Sequence, residues 1–402
     1  MLGAKMPAYC ADLAEDDMAR GVRCVGWFVD RFALVSGDET YDDPALAAYV
    51  AGVGARVARA ADLGYVPTVR VAEPGGHLAF ARPGGFIYVA RDLLAVLGSE
   101  AELAAVIAHE VAHTAAGHVD DVLEPGPATR DDALDAARER DEEAIADEIA
   151  VGYLARAGYS PDAMRTMLHA LARAGGRSGG LDDKPEPDDD YPSMASRLAR
   201  VTRLIAGRTT GEIGRDRYLD RVAGLVVGDD PRRGQVVDRV WTSSRAGVEI
   251  AIPPGLDVDS GDRRLVLSRR GGATVEVTLY QRTWGDVIAG LLKRRRTGIV
   301  AGHAVVSGLL DERATAVIAW RERSVMIAAD GPGAAAARDA IVAAVRATTA
   351  SSPRPARLIL RRAVAPGTAG ELATACVAPT LAAGLDDPAR AIAAGERFKC
   401  VE

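Results

Sequence analysis

Three of the chain's six histidines fall in one apolar stretch, "VIAHEVAHTAAGH", residues 106–118. Within it His109, Glu110 and His113 form the pattern H-E-x-x-H. Helical residues four apart share a face, so both imidazoles can point at one metal ion. Glu110 lies beside them and can reach a water held by that metal as a general base. Zinc is the cofactor this pattern predicts. Its catalytic sites take three protein ligands and leave the fourth position to water, whose pKa drops to roughly 7. A third ligand is therefore required. The next helical stretch offers Glu143-x-x-x-Asp147, again four apart. Glu143 can supply the ligand, and Asp147 can accept a hydrogen bond from a ligand imidazole and fix its tautomer. Glu139, Glu142 and Glu148 compete for the third place. His118 stands one turn beyond His113, off the ligand face, in a supporting or structural position. His77, His169 and His303 read as ordinary surface or core residues.

These side chains need a scaffold. Residues 44–62 read as an amphipathic helix with Leu46, Tyr49, Val50, Val53 and Val57 on one face. Strand candidates follow at 68–73 and 86–91, with "RPGG" turn chemistry between them. Ser99 and Glu102 form a capping box that opens the motif helix, which must end before Pro125-Gly126-Pro127. A helix is expected over about 129–157, stopped by Gly158. Another starts at Ser160-Pro161, and Ser193 caps a fourth at about 194–207. Residues 175–190 are rich in Gly, Pro and Asp and predict a mobile acidic loop over the cleft.

After residue 230 period-two segments dominate: "VEIAIP", "RLVLSR", "TVEVTLY", "TAVIAW" and "SVMIAA". Helices are expected at 283–295 and 333–348. The fold class is therefore α+β. A mainly helical zincin-like domain with a small sheet (1–230) precedes a separate α+β domain (231–350) and a small C-terminal module (353–402).

The net charge of -7 argues against a nucleic-acid partner. The one dense basic run, Lys293-Arg294-Arg295-Arg296, reads as a solvated helix end. No apolar run reaches the roughly 18 residues that span a bilayer. The N-terminal stretch has no signal-peptide core, so either the protein is cytosolic or a leader is absent from this sequence. Cys10, Cys24, Cys376 and Cys400 form one close pair near each end. Two local disulfides would fit, in an oxidising compartment, although four cysteines allow three connectivities.

The chain resembles the HtpX/BepA/Oma-type zinc endopeptidases, family forty-eight of the metallopeptidases, which are gluzincins. "AFARPGGFIYVARDLL" (79–94) looks like the family's A-F-A-x-P-G-G-x-I-x-V stretch. "EAELAAVIAHEVAHTAAGH" (100–118) resembles its motif helix, and "EEAIADEIAVGYLARAGYSPDAM" (142–164) its E-x-x-A-D helix. "YPSMASRLARV" (191–201) resembles its H-P-x-x-x-x-R-I segment, and 215–231 is similar to a segment of secreted or periplasmic members with C-terminal extensions. The resemblance covers roughly residues 40–231.

It implies His109, His113 and Glu143 as zinc ligands, Glu110 as general base and Asp147 as the partner of a ligand histidine. Arg197 would stand near the reacting carbonyl or hold the site together. Tyr191 replaces the family's histidine, and its hydroxyl could donate to an oxyanion. Leu78 replaces the family's asparagine, so a substrate-positioning amide is missing.

The predicted function is zinc-dependent hydrolysis of unfolded or misassembled polypeptides, in periplasmic or extracellular quality control. A cytoplasmic location is the alternative. Strand 86–91 is expected to offer an open edge to an extended substrate. The rival reading is a zinc-bound, weakly active chaperone or assembly scaffold. The C-terminal regions would contact the cell wall or envelope proteins, and residues 353–402 loosely resemble the end of a LysM-like repeat. The competing view of that module is a small cap closed by Cys376–Cys400.

Overall fold

The computed structural model describes residues 7–10, 17–36, 40–41, 43–73, 78–119, 132–174, 194–228, 230–260, 264–348, 356–362 and 371–377. Its first long helix, α1 (Met18–Ser36), has no counterpart in the sequence reading. Three features hold it in place. Cys24 is bonded to Cys10. Gly26 packs on the Pro83 carbonyl, where a Cβ would stand only 1.9 Å from the oxygen. Asp30, fully buried, accepts from Arg70 at 2.6 and 2.8 Å and from the Tyr88 hydroxyl at 2.7 Å.

Helix α2 (Pro44–Ala61) starts with Pro44 at its first turn and the Asp43 side chain accepting from Leu46 N. Its predicted face is buried at Leu46, Val50, Val53 and Val57. Strands β1 (Thr68–Ala72), β2 (Ala79–Arg82) and β3 (Phe86–Ala90) form a sheet in the order β1-β3-β2. β1 and β3 are parallel, whereas β2 and β3 form a hairpin through Gly84 and Gly85, both with φ of 78°. The expectation of an open edge at 86–91 is therefore corrected. β3 is the central strand and buried throughout, and β2, absent from the sequence reading, takes the edge. The other margin is partly covered, because Thr40 bridges to Ala72 and Tyr41 N donates to Val71 O.

After the short α3 (Arg91–Leu94) come α4 (Glu100–Ala115), α5 (Asp132–Arg156), α6 (Asp162–Ala174), α7 (Met194–Leu204) and α8 (Arg215–Val222). Ser99 caps α4 by accepting from Glu102 N, but Glu102 accepts from Gly98 N rather than from the cap residue itself. Helices α2, α5 and α6 pack around α4, so the apolar core closes on the motif helix.

The remainder is mostly strand: β4 (Val226–Val227), β5 (Gln235–Val237), β6 (Val240–Ser243), β7 (Val248–Ala251), β8 (Asp257–Ser260), β9 (Arg264–Ser268), β10 (Thr274–Gln281), then α9 (Arg282–Leu291), β11 (Lys293–Val300), β12 (His303–Leu310), β13 (Arg313–Trp320), β14 (Arg323–Asp330), α10 (Ala334–Ala344) and β15 (Val345–Ala347). A seven-stranded sheet runs β11-β12-β13-β14-β10-β9-β8, and a four-stranded one β15-β7-β6-β5. Trp241 and Trp320, both fully buried, anchor a second core. The helix expected over 283–295 stops at Leu291. Lys293 to Arg296 therefore lie on an edge strand and not at a helix end. The chain beyond Leu292 pairs with β12 instead, and β-branched residues enter it only at Thr297, Ile299 and Val300.

β16 (Ala356–Arg362) and β17 (Glu371–Val377) form an antiparallel pair, and β16 also pairs with β4. Cys376 lies on β17, but Cys400, and with it the expected Cys376–Cys400 link, lies outside the described residues, as do the rest of the LysM-like segment and the acidic stretch 175–190. Among the described residues no helix is long and apolar enough to cross a membrane.

Candidate metal centre

From Ala101 to Ala112, α4 carries only three polar residues: Glu102, His109 and Glu110. A helix buried on nearly all sides must give its polar side chains partners. For His109 they come from α5, which packs along α4 and is itself braced by α7.

The ring atoms His109 Nε2 and His113 Nε2 are 3.1 Å apart. Glu143 closes the triangle, with Oε2 3.3 Å from His109 Nε2 and Oε1 3.2 Å from His113 Nε2. These separations fit one ion. Tetrahedral ligands at about 2.0–2.1 Å from zinc stand about 3.3–3.4 Å from one another. Two neutral imidazoles and a carboxylate are also the donor types zinc takes in catalytic sites. Among the described residues, this is the one group of three or more such side chains that could hold a metal. Glu139, Glu142 and Glu148 fall outside it; Glu148 is exposed and 3.6 Å from Arg200.

Behind the triangle lies a dry brace. His109 Nδ1 is 3.1 Å from Asp147 Oδ1, a close contact without an aligned hydrogen bond. Arg197 donates through Nε to Asp147 Oδ2 at 2.9 Å and through Nη2 to Oδ1 at 2.7 Å. Its Nη1 also lies 3.0 Å from Glu143 Oε2, a second contact that the sequence did not reveal. The only sequence signal for it was the i, i+4 spacing of the two acids on α5. On the far side His118 Nδ1 is 3.0 Å from His113 Nδ1. One of these two nitrogens must accept, which limits the pair's tautomers. Asp147 and Arg197 are 0% and 5% exposed at their side chains, while His113 and Glu143 are 14% and 12% exposed. The triangle therefore borders solvent and the brace does not. Tyr191 lies outside the described residues, as does His77; Leu78 is half-buried against the core.

Electrostatics follow from this packing. Burial alone would lower the His109 pKa, but Glu143 and Asp147 outweigh it, and in the absence of a cation His109 is pushed up to about 10. Burial also opposes ionisation of Glu143 and Asp147. The His109 ring and the Arg197 guanidinium nevertheless hold Glu143 far below the usual carboxylate range, and Arg197 foremost holds Asp147 down. The site is built for positive charge at its centre. Glu110 differs: burial raises its pKa, and the neighbouring histidines only partly offset this.

No curated protein matches the chain. Residues 44–124, from α2 through the motif helix, match the model described as Peptidase family M48. The match includes His109, Glu110 and His113 and stops before Glu143, Asp147 and Arg197. That similarity supports a metalloprotease enzyme.

Proposed function

We propose that the chain is a zinc endopeptidase of the HtpX/BepA/Oma type that cuts unfolded or misassembled polypeptides in the cell envelope. The observation that carries this reading is the triangle of His109, His113 and Glu143 with the Asp147–Arg197 brace behind it. Those three residues would hold zinc, which when bound supplies Lewis acidity and lets water act as a nucleophile at neutral pH.

The chain's own groups do the rest. Glu110 follows His109 directly, and its raised pKa suits a carboxylate that must gain and release a proton. It takes the proton of the attacking water and passes it to the leaving amine. Asp147 and Arg197 fix the orientation of His109 and Glu143. A Tyr191 hydroxyl would complete the site by donating to the oxyanion.

β2 supplies the place for substrate. It packs against α4 and is the sheet's edge strand, so an extended chain adding to it gains main-chain hydrogen bonds. Such binding tolerates many side chains and selects for unfolded substrate. The Cys10–Cys24 disulfide supports an oxidising compartment.

The test is Glu110→Gln. Elemental analysis should find about one zinc per chain in both proteins, while casein cleavage falls about 10²- to 10⁴-fold. Equal cleavage by the variant would overturn the reading.

A further inference from the structure

The residues Lys293 to Arg296 open β11, the outermost strand of the large sheet. All four are exposed, and among the described residues they make no ion pair. They stand out against a chain of net charge -7. Cations on an edge strand discourage strand pairing between molecules. That role does not account for two further features.

The first is the backbone. A bulge lies between Lys293 and Arg296, Arg294 has φ of 52°, and Gly308 makes room for the Lys293 carbonyl, where a Cβ would stand at 2.4 Å. The left-handed conformation is unfavourable for arginine by about 1–2 kcal/mol. It interrupts the strand's alternation at its start, where all four basic side chains are exposed.

The second is the neighbouring apolar surface. Trp284, Val287 and Leu291 share a face of α9, which leads directly into β11. Val287 is 47% exposed and Leu291 62%. The face continues onto α1, where Phe32 meets Trp284 edge-on at 4.9 Å and Phe28 lies one turn earlier. Exposed apolar side chains beside a dense cationic strip are what binds the headgroup region of an anionic bilayer.

We propose that α1, α9 and the start of β11 form a docking face for an anionic lipid surface. The cations meet lipid phosphates, and Phe28, Val287 and Leu291 enter the headgroup boundary. Charge complementarity favours this occupant over a second copy of the chain, which would bring a like-charged strip to the same face.

The experiment is co-sedimentation of the full chain with phosphatidylglycerol–phosphatidylcholine vesicles and with phosphatidylcholine alone. Binding is expected only with the anionic lipid and should weaken as salt rises. Replacing Lys293, Arg294, Arg295 and Arg296 together with Gln should lower partitioning on the order of 100-fold or more. The pair Phe28→Ser and Leu291→Ser should lower it about tenfold. Both variants should keep wild-type thermal midpoints and casein cleavage. The salt titration needs no variant and guards against misfolding. Equal binding to both vesicle types, or unchanged binding by the quadruple variant, would overturn the proposal. So would a dimer broken by Leu291→Ser without any vesicle binding, which would assign the face to a second copy.

Discussion

Arg197 neutralises two acids at once, and removing it should affect both metal affinity and stability. Arg197→Met leaves Asp147 buried without its forked donor and takes from Glu143 one of the cations that face it. Zinc affinity, measured by competition with a chelating dye, should fall about 10- to 100-fold. Stability in urea should drop about 3–5 kcal/mol, because an uncompensated charge stays buried. Arg197→Lys should recover only part of this, since it lacks the fork.

His109 gives a pH signature. Its pKa in the metal-free protein is raised from 6.5 to about 10. The stabilisation from its proton is therefore complete below about 6.5 and is lost as pH rises through about 10. A metal must displace that proton. Zinc affinity should climb about tenfold per pH unit between those limits, and calorimetry in two buffers should detect about one proton released. A flat affinity from pH 7 to 9 would refute this. The sequence made His109, Glu110 and His113 legible because their relation is local to one helix. Spacing on the helix left Glu139, Glu142 and Glu148 in competition with Glu143; the family resemblance singled Glu143 out, and the packing of α5 on α4 brings it to the two histidines.

The start of α4 is set by Glu100, which is buried and accepts from Tyr49 at 2.9 Å, Tyr159 at 2.8 Å and Arg217 at 2.5 and 2.6 Å. Burial would raise its pKa, yet these donors hold it below the ordinary 4.5. Its stabilising contribution is thus present above about 4.5 and lost as pH falls through the lowered value. Urea midpoints measured from pH 6 to pH 3 should fall less steeply for Glu100→Gln than for wild type. Parallel curves would remove Glu100 from the acid response.

The elements differ in how far sequence revealed them. α2 and α4 were legible because cap and period agree, as at Asp43-Pro44 and Ser99. α1 was overlooked although its Cys10–Cys24 bond is local; its other fixing contacts are distant, the Pro83 carbonyl and the Arg70 and Tyr88 side chains. β2 is only four residues long, and pairing with β3 defines it more than its own pattern does. The Lys293–Arg296 run carried no period at all, so only its pairing with β12 made it a strand.

At the scale of the whole molecule, a buried ion cluster joins the peptidase region to the strands that follow. Glu73, at the end of β1, accepts from Arg91 Nε at 3.1 Å and lies 2.5 Å from Arg233 Nη1. Arg91, fully buried, also donates to the carbonyl oxygens of Val226 and of Gly228, just past β4. One carboxylate thus connects guanidinium groups from α3 and from beyond residue 230. Sequence reading placed a boundary near here from the change in period and could not register a contact between residues 18 and 160 positions apart.

Glu73→Ala removes the shared acid while Arg91 and Arg233 stay in an enclosed setting. Loss of one member of a buried pair typically costs about 3–5 kcal/mol. The cost should fall on both regions together, because the cluster belongs to both. In a Trp27→Phe, Trp284→Phe background, used as the reference throughout, fluorescence of Trp241 and Trp320 reports on the second core, and loss of bound zinc reports on the metal centre. In that reference the two signals should change at one denaturant concentration. In Glu73→Ala both midpoints should fall, and the zinc signal should separate from the tryptophan signal as coupling weakens. If only the tryptophan transition moved, the cluster would belong to the strand region alone, and the joint between the regions would have to lie elsewhere.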